Sequence, residues 1–261
     1  MILASLLVVG FSFAEATTQV RVGAVVRPTV YPGPQVADFE EVGGEEHLNI
    51  EIANATQVQP SPAVPEESCD DLSVLVDRSH TLPPDYAPDD LVRLSKYRVP
   101  TLGSAEMLLR RESAGHLRRM VKAAAADGEE LVVASAYRSY ADQQTSYARL
   151  TSIYGTDAGE MSARPGHSQH QLGTAVDFTN ADASYEIWDY FGDTSAYWWL
   201  RDHAREYGFV LAYPRSKEAD TGYQWEPWHF RYVGARNVER LEESGLSLQE
   251  FLAREGVLPR C

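Results

Sequence analysis

The sequence predicts an α+β fold, with helices packed on a mainly antiparallel sheet. Three observations point there. Helix-period and strand-like segments are interleaved from Cys69 onward, without the strict strand–helix–strand rhythm of a parallel sheet. The strand-like pieces are short. No internal repeat is present.

Taken in order, "SVLVD" (73–77) reads as a short strand, followed by the Pro-rich turn "TLPPDYAP" (81–88). Ser104 to Asp127 reads as a helix, because Leu117, Met120, Val121 and Ala124 follow the i, i+3, i+4, i+7 spacing and Gly128 is a good stop. "LVVASAYR" (131–138) is apolar and β-branched, as a buried strand should be. Ser139 with Asp142 opens a helix that runs to about Gly155. A Gly- and Pro-marked loop leads to a strand at "TAVDF" (174–178). An aromatic helix follows over Ser195–Tyr207, stopped by Gly208. "FVLAYP" (209–214) and "WHFRYV" (228–233) read as strands. Helices at Ala235–Ser244 and Ser247–Glu255 close the chain, the second opened by a Ser247/Glu250 capping box.

The chain has 261 residues, 44% of them hydrophobic, which suits one domain with appendages. Residues 1–68 carry two basic and nine acidic side chains, net −7, leaving −8 of the total −15 for residues 69–261. That balance excludes nucleic acid and anionic membrane surfaces as natural partners. The apolar run Ile2–Ala14 is too short for a bilayer span, which needs about 20 residues. It suits a signal peptide ending at the small-x-small pattern Ala14-Glu15-Ala16, although no Lys or Arg precedes it. Residues 1–16 are therefore expected to direct export, to a periplasm, a cell wall or the medium. Residues 17–68, rich in Pro, Gly, Glu and Gln, read as a disordered tether. Residues 69–261 form the folded domain. Its two cysteines, Cys69 and Cys261, are an even count in an exported chain and are expected to form a disulfide.

The chemistry starts at "SQHQLGTAVD" (168–177). Residues seven apart on a strand face opposite sides, so His170 and Asp177 converge only if the chain bends, and Gly173 is where a bend is easiest. A histidine and an aspartate that are merely hydrogen-bonded would explain this stretch equally well. The second stretch, "QWEPWHFRYVG" (224–234), adds Glu226 and His229 where a loop enters a strand. Two histidines, an aspartate and a spare glutamate are the components of a catalytic zinc site: three ligands, an open position and an acid/base outside the ligand set.

The motif S-x-H-x-x-G-x-A-x-D (Ser168–Asp177) followed by E-P-W-H (Glu226–His229) resembles the double signature of the VanY-type zinc D,D-carboxypeptidases. That peptidase family also includes D-Ala-D-Ala dipeptidases and some phage endolysins. "LVDRSHTLPPDY" (75–86), "SAYRSYADQ" (135–143) and "TGYQWEPWHFRYVG" (221–234) are similar to further family blocks, so the likeness spans about residues 70–240. The resemblance implies one zinc per chain held by His170, Asp177 and His229, with Glu226 as general base. It implies Arg138 as the cation facing the scissile carbonyl, and Ser168 and Gln143 as lining of the substrate groove. The implied substrate is the peptidoglycan stem peptide, losing its C-terminal D-alanine. L,D-carboxypeptidase or endopeptidase action, or a catalytically inactive wall-binding module, are the alternatives; retention of Glu226 speaks against the last. Gln169 departs from the acidic residue frequent at its position and bears on fine specificity.

Other candidates are weaker. His167 falls outside the motif, and His80, His116 and His203 read as loop or helix histidines. Tyr190, Tyr197, Trp198 and Trp199 read as core aromatics rather than a glycan-binding wall. Ser135 and Ser139 lack a nucleophile-elbow or SxxK context.

Overall fold

The computed structural model describes residues 68–187 and 189–261. The signal peptide expected at 1–16 and, apart from Ser68, the tether expected at 17–68 lie outside these residues. The elements are β1 (Leu91–Arg93), β2 (Leu108–Arg110), α1 (Arg111–Ala126), β3 (Val132–Ser135), α2 (Tyr140–Tyr154), α3 (Ala158–Met161), β4 (Ala175–Thr179), α4 (Ser195–His203), β5 (Phe209–Leu211), α5 (Glu218–Thr221), β6 (His229–Tyr232), α6 (Ala235–Ser244) and α7 (Leu248–Glu255). The main sheet has the order β3-β4-β6-β5 with every pair antiparallel, and β1 and β2 form a separate antiparallel pair. This is the α+β arrangement that the interleaved pattern predicts. Among the described residues, no helix is long and apolar enough to cross a membrane.

β4 and β6 are central, and each of their residues is buried. Because side chains alternate along a strand, Val176, Phe178, Phe230 and Tyr232 share one face. They join the main hydrophobic core there with Leu117, Met120 and Ala124 of α1 and Leu200 of α4. Phe178 meets Phe230 edge to face, ring centres 5.8 Å apart. The opposite face is left for Asp177, His229 and Arg231, so the core packs on one side of the sheet and the chemistry lies on the other.

Two elements differ from their local reading. The helix expected from Ser104 begins only at Arg111, because residues 108–110 pair with β1 in the register Leu91↔Arg110 to Arg93↔Leu108. Helix propensity over "EMLLRR" is overridden by a non-local pairing. "SVLVD" forms no strand: Val74 makes a single parallel bridge to Val257. That segment is fixed from beneath by Arg231, which is fully buried and donates from one guanidinium nitrogen to Leu72 O (3.0 Å) and Val74 O (2.7 Å). Burial pulls the Arg231 pKa down to about 10. The four aromatics read as core also divide. Tyr197 is buried and Trp199 half-buried, whereas Tyr190 and Trp198 are 59% and 47% exposed. α4 turns Tyr197 and Leu200 inward, which leaves Trp198 outside under the Arg201 guanidinium, 4.2 Å from its ring centre.

Local signals account for most helix ends. Ser139 accepts from Asp142 N (3.1 Å) at the start of α2, and Ser247 with Glu250 completes a capping box on α7. The aromatic helix closes in a 3-10 turn, Ala204–Tyr207, capped by Gly208 at φ +81°. Cys69 and Cys261 are joined with Cα atoms 5.6 Å apart across a sequence separation of 192.

Two measurements check this packing. Leu117→Ala removes a fully buried core side chain and should lower unfolding free energy in denaturant by about 2–5 kcal/mol. Replacing both Cys69 and Cys261 with Ser should lower it by up to about 5 kcal/mol through the freed unfolded chain, and a non-reducing digest of the native protein should give one peptide pair linked through them.

Candidate active site

The site is assembled from two strands and a turn. β4 and β6 pair so that Asp177 stands directly opposite His229. Such cross-strand neighbours share a face with Cβ atoms about 5 Å apart. The third member, His170, comes from the 3-10 turn Gln169–Leu172, and its own amide donates to the Ser168 hydroxyl that caps the turn (His170 N to Ser168 Oγ, 3.3 Å). Gly173 closes that turn at φ +66°, the left-handed conformation that favours glycine. A Cβ there would lie 2.9 Å from a Leu91 methyl and 3.1 Å from Arg110 Cγ. The bend expected at Gly173 is this cap, and it turns the chain back into β4.

His170, Asp177 and His229 are all buried, and one ligand atom from each lies within 4.8 Å of the others. His170 Nε2 is 3.2 Å from Asp177 Oδ2, and His229 Nδ1 is 2.8 Å from Asp177 Oδ1. The second nitrogen of each ring is also engaged. His170 Nδ1 lies 2.7 Å from Ala136 O, and His229 Nε2 lies 3.2 Å from Gln169 Oε1. Two imidazoles, each oriented by an outer partner, and one carboxylate match the donor set of a catalytic zinc site with one position left for substrate or water. Burial alone would raise the Asp177 pKa, but the two histidines reverse that and hold it well below the usual carboxylate range. Burial outweighs Asp177 at His170 and lowers its pKa, favouring the neutral ring that a metal needs.

Glu226 ends the loop into β6. Its backbone is tied to Tyr213 O (3.1 Å) and to His229 N (3.1 Å), and its carboxylate stands 3.9 Å from His229 Nδ1 with 16% of the side chain exposed. Burial, with Asp177 nearby, raises its pKa well above normal, and Arg138 opposes that shift. Arg138 follows β3; its backbone amide donates to His170 O (3.3 Å), and its buried Nε has no partner. Ser168 is buried as the cap of the His170 turn. Gln143 is buried on α2, with Nε2 donating to Ser162 Oγ (3.1 Å) and Ala163 O (2.5 Å) and Oε1 unpaired. All seven of these residues line one cavity of about 270 Å³.

Among the described residues, the histidines outside the motif lie elsewhere. His167 Nδ1 meets Asp77 O, His80 meets Asp77, His116 meets Tyr207 O, and His203 pairs with Glu206. Three contributors have contacts that the sequence does not signal. Tyr213 stacks on His229 at 5.0 Å between ring centres, Gln169 faces the same ring, and Trp225 forms a cavity wall. Tyr213 lies in the segment read as a strand, but its partner ring is fixed only by the pairing of β5 with β6.

The family model described as VanY, D-alanyl-D-alanine carboxypeptidase, matches residues 106–235. The putative carboxypeptidase YodJ of Bacillus subtilis is 34% identical over 192 residues, covering 71% of this chain and 68% of YodJ. The chain belongs to the VanY-type carboxypeptidase family. Structures of this family share its fold. The LdcB LD-carboxypeptidase, described with the basis of its peptidoglycan recognition, aligns with a TM-score of 0.66 and 35% identity over 71% of this chain and 87% of its own. The vancomycin-resistance D,D-pentapeptidase VanY, solved as a mutant in complex with Zn(II), aligns with a TM-score of 0.56 and 31% identity over 69% and 98%. As a VanY-type protein the chain is an enzyme, and its three buried donors are the candidate site for the metal.

The Trp225 wall yields a test away from the three donors. A Cβ on Gly192 would lie 2.1 Å from Trp225 Cη2, and Arg215 covers that indole at 3.7 Å from its ring. Gly192→Ala must therefore push Trp225 within the cavity. Hydrolytic turnover should fall roughly 10- to 100-fold, as a misplacement of about 1 Å does, while metal content stays at the wild-type level.

Proposed function

We propose that this VanY-type enzyme is an exported zinc carboxypeptidase, with one zinc per chain, that removes the C-terminal D-alanine from peptidoglycan stem peptides. The observation that carries the proposal is the place of Glu226: a carboxylate on the cavity wall, 3.9 Å from His229 Nδ1 yet outside the three-donor set. A module that only bound peptide would have no use for a buried base there.

His170, Asp177 and His229 would hold the zinc. When bound, the ion acidifies water and polarises the scissile carbonyl. The remaining roles belong to the chain. Glu226 takes the proton of the attacking water and returns it to the leaving amine, the two transfers that a positioned carboxylate makes. Arg138 faces the carbonyl oxygen as it becomes negative. Gln143 Oε1 and the Ser168 side chain line the groove in which the stem peptide lies. Export agrees with the leader and tether read over 1–68, and the Cys69–Cys261 bridge agrees with an oxidising compartment.

A second reading has its own support. LdcB, an LD-carboxypeptidase by description, is similar to this chain at a TM-score of 0.66. L,D-carboxypeptidase action would use the same residues and remove D-alanine from the tetrapeptide instead of the pentapeptide.

Mass spectrometry of purified muropeptides separates the two: pentapeptide should be shortened by one D-alanine, and loss from the tetrapeptide alone would give the site to the second reading. Metal analysis should find about one zinc per wild-type chain and much less in His170→Ala. Glu226→Gln should keep its zinc while turnover falls at least about 100-fold. Near-normal turnover in that variant would refute the general-base role.

A further inference from the structure

We infer that Gln169 is a positioning residue for the metal site: its side-chain carbonyl fixes the tautomer and orientation of His229. This rests on the zinc reading above and concerns the residue that departs from the family's frequent acidic one.

A neutral imidazole carries one N–H, and the nitrogen that ligates must be bare. At His170 the choice is made by the backbone. Nδ1 faces Ala136 O at 2.7 Å, so the proton sits there and Nε2, the nitrogen toward Asp177, keeps its lone pair. At His229 the geometry is reversed, because Nδ1 is the nitrogen toward Asp177 (2.8 Å) and Nε2 must carry the proton. The partner of that Nε2 is a side chain, Gln169 Oε1 at 3.2 Å. The opposite orientation of the amide would set N–H against N–H, or drive the ring proton onto the ligating Nδ1.

Gln169 is held for this task. It is 1% exposed, it opens the 3-10 turn between Ser168 and His170, and its own Nε2 is buried without a partner. A buried amide that leaves its donor unsatisfied while its acceptor meets a metal-site histidine is placed for the acceptor. One short turn thus supplies a ligand, His170, and the orienter of another, His229. The contact also sets a requirement on chemistry: position 169 needs an acceptor of glutamine's reach, whether amide or carboxylate.

The test compares Gln169→Leu, Gln169→Met and Gln169→Glu in the full chain. Zinc affinity is measured by competition with a chromophoric chelator, and histidine tautomers by long-range 1H–15N NMR of the zinc-loaded protein. Leu and Met keep the bulk without the acceptor, and either should weaken zinc binding about 10- to 100-fold, the usual scale for an outer partner of a ligand, and abolish the single Nε2–H tautomer of His229. Gln169→Glu should restore both. Thermal melts of the metal-free variants identify any that fail to fold, and Met serves where Leu does not. Wild-type affinity in a folded Leu or Met variant would overturn the inference, as would a Glu variant no better than these two. A wild-type chain that binds no zinc would instead sink the functional reading on which the inference stands.

Discussion

The register of β4 against β6 is the constraint on which the rest of the site depends. Because Asp177 pairs directly with His229, the carboxylate and the imidazole are neighbours on one face whatever the loops do. A slip of one residue in either strand would send one of them into the hydrophobic core. Two interactions on opposite sides of the sheet forbid that slip. Val176 and Phe178 pack with Phe230 and Tyr232 in the core, and on the face bearing the donors Arg231 reaches the carbonyls of Leu72 and Val74. Moving β6 by one residue would strand a buried guanidinium and expose no compensating surface. The same apolar packing that stabilises the sheet therefore sets the distance between two candidate ligands.

The third donor is fixed by a different device. His170 belongs to a turn, and turns drift unless their ends are tied. Here both ends are: Ser168 Oγ accepts from the His170 amide, Gly173 adopts the left-handed cap, and Gly173 O accepts from Arg110 N (2.8 Å) at the end of β2. That link explains why residues 108–110 are extended rather than helical. The strand gives up a turn of helix α1, and in return its edge holds the loop that carries His170.

These facts also explain what was legible in the sequence. Helices α6 and α7 and the caps of α2 and α7 depend on neighbours within four residues, so period and capping chemistry located them. Residues 170, 177, 229 and 226 stood out because a zinc site would use those residue types and because their motifs resemble the family's, and the structure brings His170, Asp177 and His229 together. The extended segment 108–110 and the bridged segment around Val74 were not, since their partners are β1 and Val257. Gln169 was legible as a departure but not as a contact, because its partner ring is 60 residues away. Trp198 and Tyr197 are adjacent and equally aromatic, and only the phase of α4 against the core decides which one is buried.

The division of the site between sheet and loops bears on what the enzyme selects. Asp177 and His229 sit on paired strands, and His170 on a tied turn; on the proposed function these are the donors that any accepted amide would meet. The remaining walls of the cavity come from elsewhere: Gln143, Ser146 and Leu150 on α2, Glu160–Ala163 after it, Ile187 before α4, and Tyr223–Trp225 in the loop that precedes β6. Those segments carry little of the core, and their side chains are held by contacts such as Gly192 against Trp225 and Arg215 over its ring. A change there moves a wall without moving a donor. On the proposed function, trimming a pentapeptide and trimming a tetrapeptide would share the donors at β4, β6 and the His170 turn, and the cavity walls are where the two would differ.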